Sequence, residues 1–121
     1  VRQTSVLRID DILLVTLHDD PRLAEARDFL VRLGEMIAQN TALGVLVDVS
    51  GLALVDSTIG RMLATIVATA RLLGAEAMIA GVRPEIAISM VELGIELPDI
   101  AAALDVDSGL ASLRGRVGHR R

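Results

Sequence analysis

The stretch LGVLVDVSGLALVDSTIGRML, Leu43 to Leu63, decides the fold. Its first part, Leu43 to Ser50, is apolar with little alternation, the pattern of a strand covered on both faces. A turn at Ser50-Gly51 follows, then a short apolar return over Leu52 to Val55. Asp56, Ser57 and Thr58 open a segment that runs to Leu73 and stops at Gly74, a residue favoured just past a helix end. Within it Ile59, Leu63, Ile66, Ala70 and Leu73 recur at helical spacing and are expected to face inward. Thr58, Arg61, Thr65, Ala68, Thr69 and Leu72 fall on the other face, which carries a single charge. A lone soluble domain would charge such a face more heavily, so it is a candidate docking surface. The plainer reading is that short polar residues are harmless on a helix exterior.

Elements of the same kind lie on either side. Upstream, Ser5 to Asp10 reads as a short strand, Asp10-Asp11 as a turn and Ile12 to His18 as a continuous apolar strand. A helix from Pro21 to about Gln39 carries Leu23, Ala26, Leu30, Leu33 and Ile37 on one face. Downstream come a strand over Ala75 to Gly81, a helix from Pro84 to Gly94 and a last helix from Asp107 or Ser108 to about Leu113. Two strands joined by a tight turn are antiparallel, and strands alternating with helices are parallel through right-handed crossovers. The expected class is α/β with a mixed, mostly parallel sheet, in which function gathers at the carboxyl ends of the strands.

Bulk numbers bound the rest. With 121 residues, the chain is expected to form one domain, with a core over about residues 6–113 and a basic, solvated tail over 114–121. No apolar run approaches the roughly 18 residues of a membrane span. No secretory leader is recognisable and cysteine is absent, so the expected location is cytoplasmic. All 12 basic residues are Arg, against 16 acids. Four of them, Arg114, Arg116, Arg120 and Arg121, lie in the last eight positions, leaving 8 Arg against 16 acids in residues 1–113. Such a body repels a phosphate backbone, and Phe29, the sole aromatic, cannot build a stacking platform, so no nucleic-acid partner is expected.

Enzyme chemistry finds no constellation. There is no HExxH, GxSxG or Walker A sequence, and His18 and His119 sit at a strand end and in the tail. The pairs Asp10-Asp11 and Asp19-Asp20 read as turn and cap residues. Asp48 and Asp56 with a third ligand would make a metal site, but no ligand spacing supports one. The expectation is no catalytic residue, no metal and no cofactor. A nucleotide- or small-molecule-binding domain is a further reading, without a phosphate loop or aromatic clamp to carry it.

Ser57 and Thr58 have two readings. Hydroxyls at a helix N-terminus are preferred caps. Asp56 is itself a good cap, however; if it caps, Ser57 and Thr58 occupy the first two helical positions and Ser57 projects a spare hydroxyl that a kinase can reach. A helix N-terminus tolerates the added anion. A dianion about 6 Å from Asp56 meets roughly 1–6 kcal/mol of repulsion across effective dielectrics of 80 to 20. On a docking face, about 3 kcal/mol weakens a partner roughly a hundredfold.

The order VLVDVSGLALVDSTIGRML followed by ARLLGAEAMIAGVRPEIAISMVELGI resembles the STAS domains, the family of sulfate transporters and anti-sigma factor antagonists. The likeness covers about Val6 to Leu113 and is most specific at Asp56-Ser57, LLGA (Leu72 to Ala75), GVRP (Gly81 to Pro84) and ELGI (Glu92 to Ile95). It implies a mixed sheet with helices packed mainly on one side, and Ser57 as the residue phosphorylated by a partner kinase, with Thr58 as the alternative acceptor. Asp56, Thr58, Arg61 and Thr65 would then form the surroundings of that site and the docking face. Within the family the likeness points to the STAS-only stressosome scaffolds of the RsbS type, since the chain has no room for the sensor domain of RsbR-type proteins. That implies a non-enzymatic protein that self-associates and co-assembles with RsbR-type proteins. It would hold an RsbT-type serine/threonine kinase, release it on phosphorylation of Ser57, and be reset by an RsbX-type phosphatase. The competing expectation is a soluble anti-sigma factor antagonist regulated at the same serine.

Overall fold

The structure, a computed structural model, describes residues 5–19, 26–39, 41–95 and 100–118. Five strands form one sheet in the order of the chain: β1 (Ser5–Ile9), β2 (Ile12–His18), β3 (Gly44–Gly51), β4 (Glu76–Ala80) and β5 (Ala101–Ala103). The tight turn at Asp10-Asp11, with Asp10 at φ 54°, makes β1 antiparallel to β2; the remaining pairs are parallel. Val45, Leu46, Val47 and Val49 of the central strand β3 are fully buried, in keeping with its lack of alternation, and Asp48 is its one charged residue.

Because the strand order never reverses, every right-handed crossover must lie on the same face of the sheet. Helices α1 (Ala26–Gln39), α2 (Ser57–Leu72) and α3 (Pro84–Glu92) accordingly share that face. Leu33 and Ile37 of α1, Leu63 and Ile66 of α2 and Ile86 of α3 join Val45, Val47 and Ile79 of the sheet in the main core. Each large aliphatic side chain buried there contributes about 1.5–3 kcal/mol. A smaller cluster covers the opposite face, where Leu110 and Leu113 of α4 (Val106–Gly118) meet Ile12, Leu46 and Met78. A sheet without strand-order reversal also has no switch-point crevice of the kind that receives dinucleotides.

Three expectations need correction. Leu73, placed in the inward stripe of α2, lies past the helix end and is 45% exposed; Met62 and Val67 take the buried positions instead. The short strand β5 was not foreseen, because three alanines carry no strand signal. The last helix begins at Val106 and continues to Gly118, with Val117 buried, so Arg114 and Arg116 are helical rather than part of a solvated tail. Arg114 stands 3.6 Å from Asp10 of the hairpin turn. Residues 21–25 of the first expected helix, Asp20, and residues 119–121 of the expected tail, including His119, lie outside the described residues. Among the described residues, no helix is long and apolar enough to cross a membrane.

Candidate functional site

The site lies where β3 hands over to α2. Asp56 is the N-cap of α2: its backbone is extended (φ −96°, ψ −176°) and its Oδ1 accepts the Ile59 amide at 2.9 Å. Its carbonyl accepts the Gly60 amide at 2.9 Å. The capping role open to the two hydroxyls is therefore taken by the carboxylate. Ser57 and Thr58 are the first two helical residues, both exposed. Among the described residues the Ser57 hydroxyl has no hydrogen-bond partner.

The loop before Asp56 is pinned from two sides. Asp19, just after β2, accepts the Ala53 amide at 3.0 Å across a sequence separation of 34 residues. From the β4–α3 connection, the Arg83 guanidinium donates to the carbonyls of Ser50 (3.3 Å) and Leu52. Its Nε forms an ion pair with a Glu85 carboxylate oxygen 2.9 Å away. The close approach of that connection requires Gly81 at φ +76°: a Cβ there would strike Ser50 and Asp48. Leu52 and Val55 are buried below the loop, while Leu54 projects 73% exposed beside the site. Two charged side chains and two apolar anchors thus fix the path by which Ser57 reaches the surface.

Ser57 also borders a groove of about 440 Å³ with Gly60, Arg61, Ala64, Leu93, Gly94 and Ile95. Gly60 is buried, and a Cβ on it would run into the Ile95 side chain, so the turn after α3 sits directly on the first turns of α2. Arg61 lies one helical turn from Ser57, its Nε 3.4 Å from the Ser57 carbonyl. Thr65 returns its hydroxyl to the Arg61 carbonyl at 2.9 Å, so it is exposed but already hydrogen-bonded.

The expected neighbours Asp56, Ser57, Thr58, Arg61 and Thr65 therefore all belong to the exposed start of one helix. Asp48 does not join Asp56; its Oδ1 accepts the Ser50 amide at 3.0 Å. Among the described residues no three His, Cys, Asp or Glu side chains are grouped to hold a metal ion. Asp19 and Arg83 are the supports that residue-by-residue reading missed. Asp19 looked like a local cap, and the GVRP stretch carried weight only as part of a likeness, without a role for its arginine.

With this geometry in hand, the comparisons with known proteins are specific. The RsbT co-antagonist protein RsbRA of Bacillus subtilis (strain 168) is 35% identical over 66 residues, 54% of this chain and 24% of that protein. Its counterpart RsbRD is 27% identical over 103 residues, 85% of this chain and 37% of that protein. The chain thus spans well under half the length of these curated relatives. Among solved structures, a Ser-to-Glu variant of RsbS from Moorella thermoacetica superposes with a TM-score of 0.85 at 28% identity, over 97% of this chain and 99% of that one. A chain from a structure describing the molecular architecture of the stressosome gives a TM-score of 0.81 at 29% identity, over 93% and 98%. The STAS domain itself is matched by residues 3–107, and the chain belongs to the STAS domain family.

Proposed function

We propose that this protein is a non-enzymatic scaffold subunit of a stressosome-type assembly, and that Ser57 is its phosphorylation site. Unmodified, it co-assembles with RsbR-type STAS proteins and holds an RsbT-type serine/threonine kinase. Phosphorylation of Ser57 by that kinase releases it to activate a downstream stress response, and an RsbX-type phosphatase resets the serine. The observation that carries this reading is the division of labour at the head of α2. Asp56 caps the helix, so the neighbouring hydroxyl of Ser57 stays exposed on a rigidly supported turn. Support also comes from the near full-length likeness to an RsbS bearing a Ser-to-Glu change, and from relatives named as RsbT co-antagonists.

The modification need not unfold anything. A phosphate at the first helical position faces unpaired amides and the positive end of the helix dipole, so α2 keeps its cap and its packing. What changes is the charge of the surface that a partner meets.

The test is co-sedimentation of the chain with an RsbR-type protein and an RsbT-type kinase, before and after ATP. The kinase should travel with large particles before ATP and separate afterwards, and should stay bound when the scaffold carries Ser57→Ala. A kinase that never associates, or that remains bound after Ser57 is fully phosphorylated, overturns the proposal. Small one-to-one complexes with an anti-sigma kinase would instead assign the soluble antagonist role.

A further inference from the structure

We propose that Arg61 is the built-in counter-charge of the modified site: once Ser57 carries a phosphate, the Arg61 guanidinium folds onto it and latches the phosphorylated state. This rests on Ser57 as the acceptor. It adds how that state is held and what else it removes from the surface.

Ser57 and Arg61 are i and i+4 on α2, a spacing that brings side chains together on a helix surface. The Arg61 side chain already turns back toward the first turn, with Nε 3.4 Å from the Ser57 carbonyl. Both residues border the same groove, whose other walls are Gly60, Ala64, Leu93, Gly94 and Ile95, so no carboxylate among these lining residues competes for the guanidinium. Among the described residues Arg61 makes no ion pair. The nearest acid in sequence, Asp56, has one carboxylate oxygen engaged by the Ile59 amide.

The chemistry is ordinary phosphoryl transfer from ATP, supplied with the kinase. The Ser57 Oγ forms a bond to the γ-phosphorus, the bond to the β-γ bridging oxygen breaks, ADP leaves and the hydroxyl proton is released. The product has a charge near −2 and three strong acceptor oxygens within reach of the planar guanidinium, which suits bidentate pairing. Of the two charged residues on α2, Arg61 and Arg71, Arg61 is the one next to Ser57, whereas Arg71 lies in the last turn. One modification therefore makes two changes there: an anion arrives and the free cation is withdrawn from any partner carboxylate that used it.

The experiment uses the full chain with phosphoserine installed at position 57 during translation, so it does not depend on any kinase labelling that residue. Phosphorus NMR follows the second ionisation of the phosphate in the Arg61 chain and in Arg61→Gln and Arg61→Lys. Pairing should lower that ionisation by about half a unit relative to Arg61→Gln, with partial recovery in Arg61→Lys and a smaller difference in high salt. Circular dichroism of each variant confirms that the helix is present. Identical titrations in the Arg61 and Gln chains, with both folded, overturn the latch. Separately, failure of an RsbT-type kinase to label Ser57 of the unmodified chain overturns the acceptor assignment without bearing on the titration.

Discussion

Asp56 Oδ1 accepts the Ile59 amide at 2.9 Å, and this bond decides which residue at the head of α2 has a hydroxyl to spare. Replacing Asp56 with Ala should cost about 0.5–2 kcal/mol in urea unfolding, whereas Asp56→Asn, an equally good cap, should cost much less. In Asp56→Ala the adjacent Ser57 hydroxyl becomes the nearest substitute cap, so its rate of phosphorylation should fall as well. Equal stability of all three chains would show that the cap contributes nothing.

Arg83 and Asp19 hold the same loop from opposite sides, through the carbonyls of Ser50 and Leu52 and the amide of Ala53. Each single change, Arg83→Ala or Asp19→Ala, should destabilise by roughly 1 kcal/mol, charge-assisted bonds being discounted for solvent exposure. Native-state hydrogen exchange should show faster opening of residues 50–56 than of β4. Because the two supports share one segment, the double variant should depart from additivity.

Gly60 reverses the usual helix rule. At an exposed helical position Gly→Ala gains about 1 kcal/mol. Here the new methyl would meet Ile95, so Gly60→Ala should instead lose about 1–3 kcal/mol, the cost of overpacking, or displace the turn after α3. Thermal unfolding settles the sign, and a stabilised Gly60→Ala would contradict the packing described for this groove.

The fourth helix supplies a pH-dependent contribution. Asp105 precedes α4; its Oδ1 accepts the Ser108 amide at 2.8 Å and its carbonyl accepts the Gly109 amide. The Ser108 amide first, and its hydroxyl second, hold the Asp105 carboxyl below its ordinary 3.8, with desolvation acting in the opposite direction. A group lowered in the folded state stabilises fully above its unfolded value and loses that contribution as pH falls through the folded one. The share of the stability gap between the wild type and Asp105→Ala that comes from the ionised carboxylate should therefore be fully present above about pH 3.8 and be lost as pH falls through the lower value of the folded state. Asp105→Asn, which cannot ionise there, should lack this contribution to the pH dependence.

The fold was largely legible because its signals are local. The apolar, non-alternating run of β3, the glycine stop after α2 and the tight Asp10-Asp11 turn each announce themselves within a few residues. The candidate site was legible as a set of neighbours for the same reason: Asp56, Ser57, Arg61 and Thr65 lie within three turns of one helix. What the residues alone left open was which group caps it, since carboxylate and hydroxyl are comparable caps and only the geometry chooses. The supports were illegible because they act at a distance. Asp19 reaches Ala53 and Arg83 reaches Leu52, and no periodicity encodes such contacts. The strand β5 was hidden by composition, its three alanines being paired only because β4 offers them an edge. The full length of α4 was hidden by its glycines and arginines, which mask the burial of Leu113 and Val117.

The central claim is that the free hydroxyl beside the capping carboxylate is where a kinase writes its signal. Phosphate mapping by mass spectrometry, after incubation of the wild-type chain with an RsbT-type kinase and ATP, tests it most directly. The account predicts phosphate on Ser57, no label at that position in Ser57→Ala, and a far-ultraviolet circular dichroism spectrum that does not change on modification. Phosphate confined to Thr58 or to another residue, or a fully active kinase that leaves Ser57 bare, would contradict it.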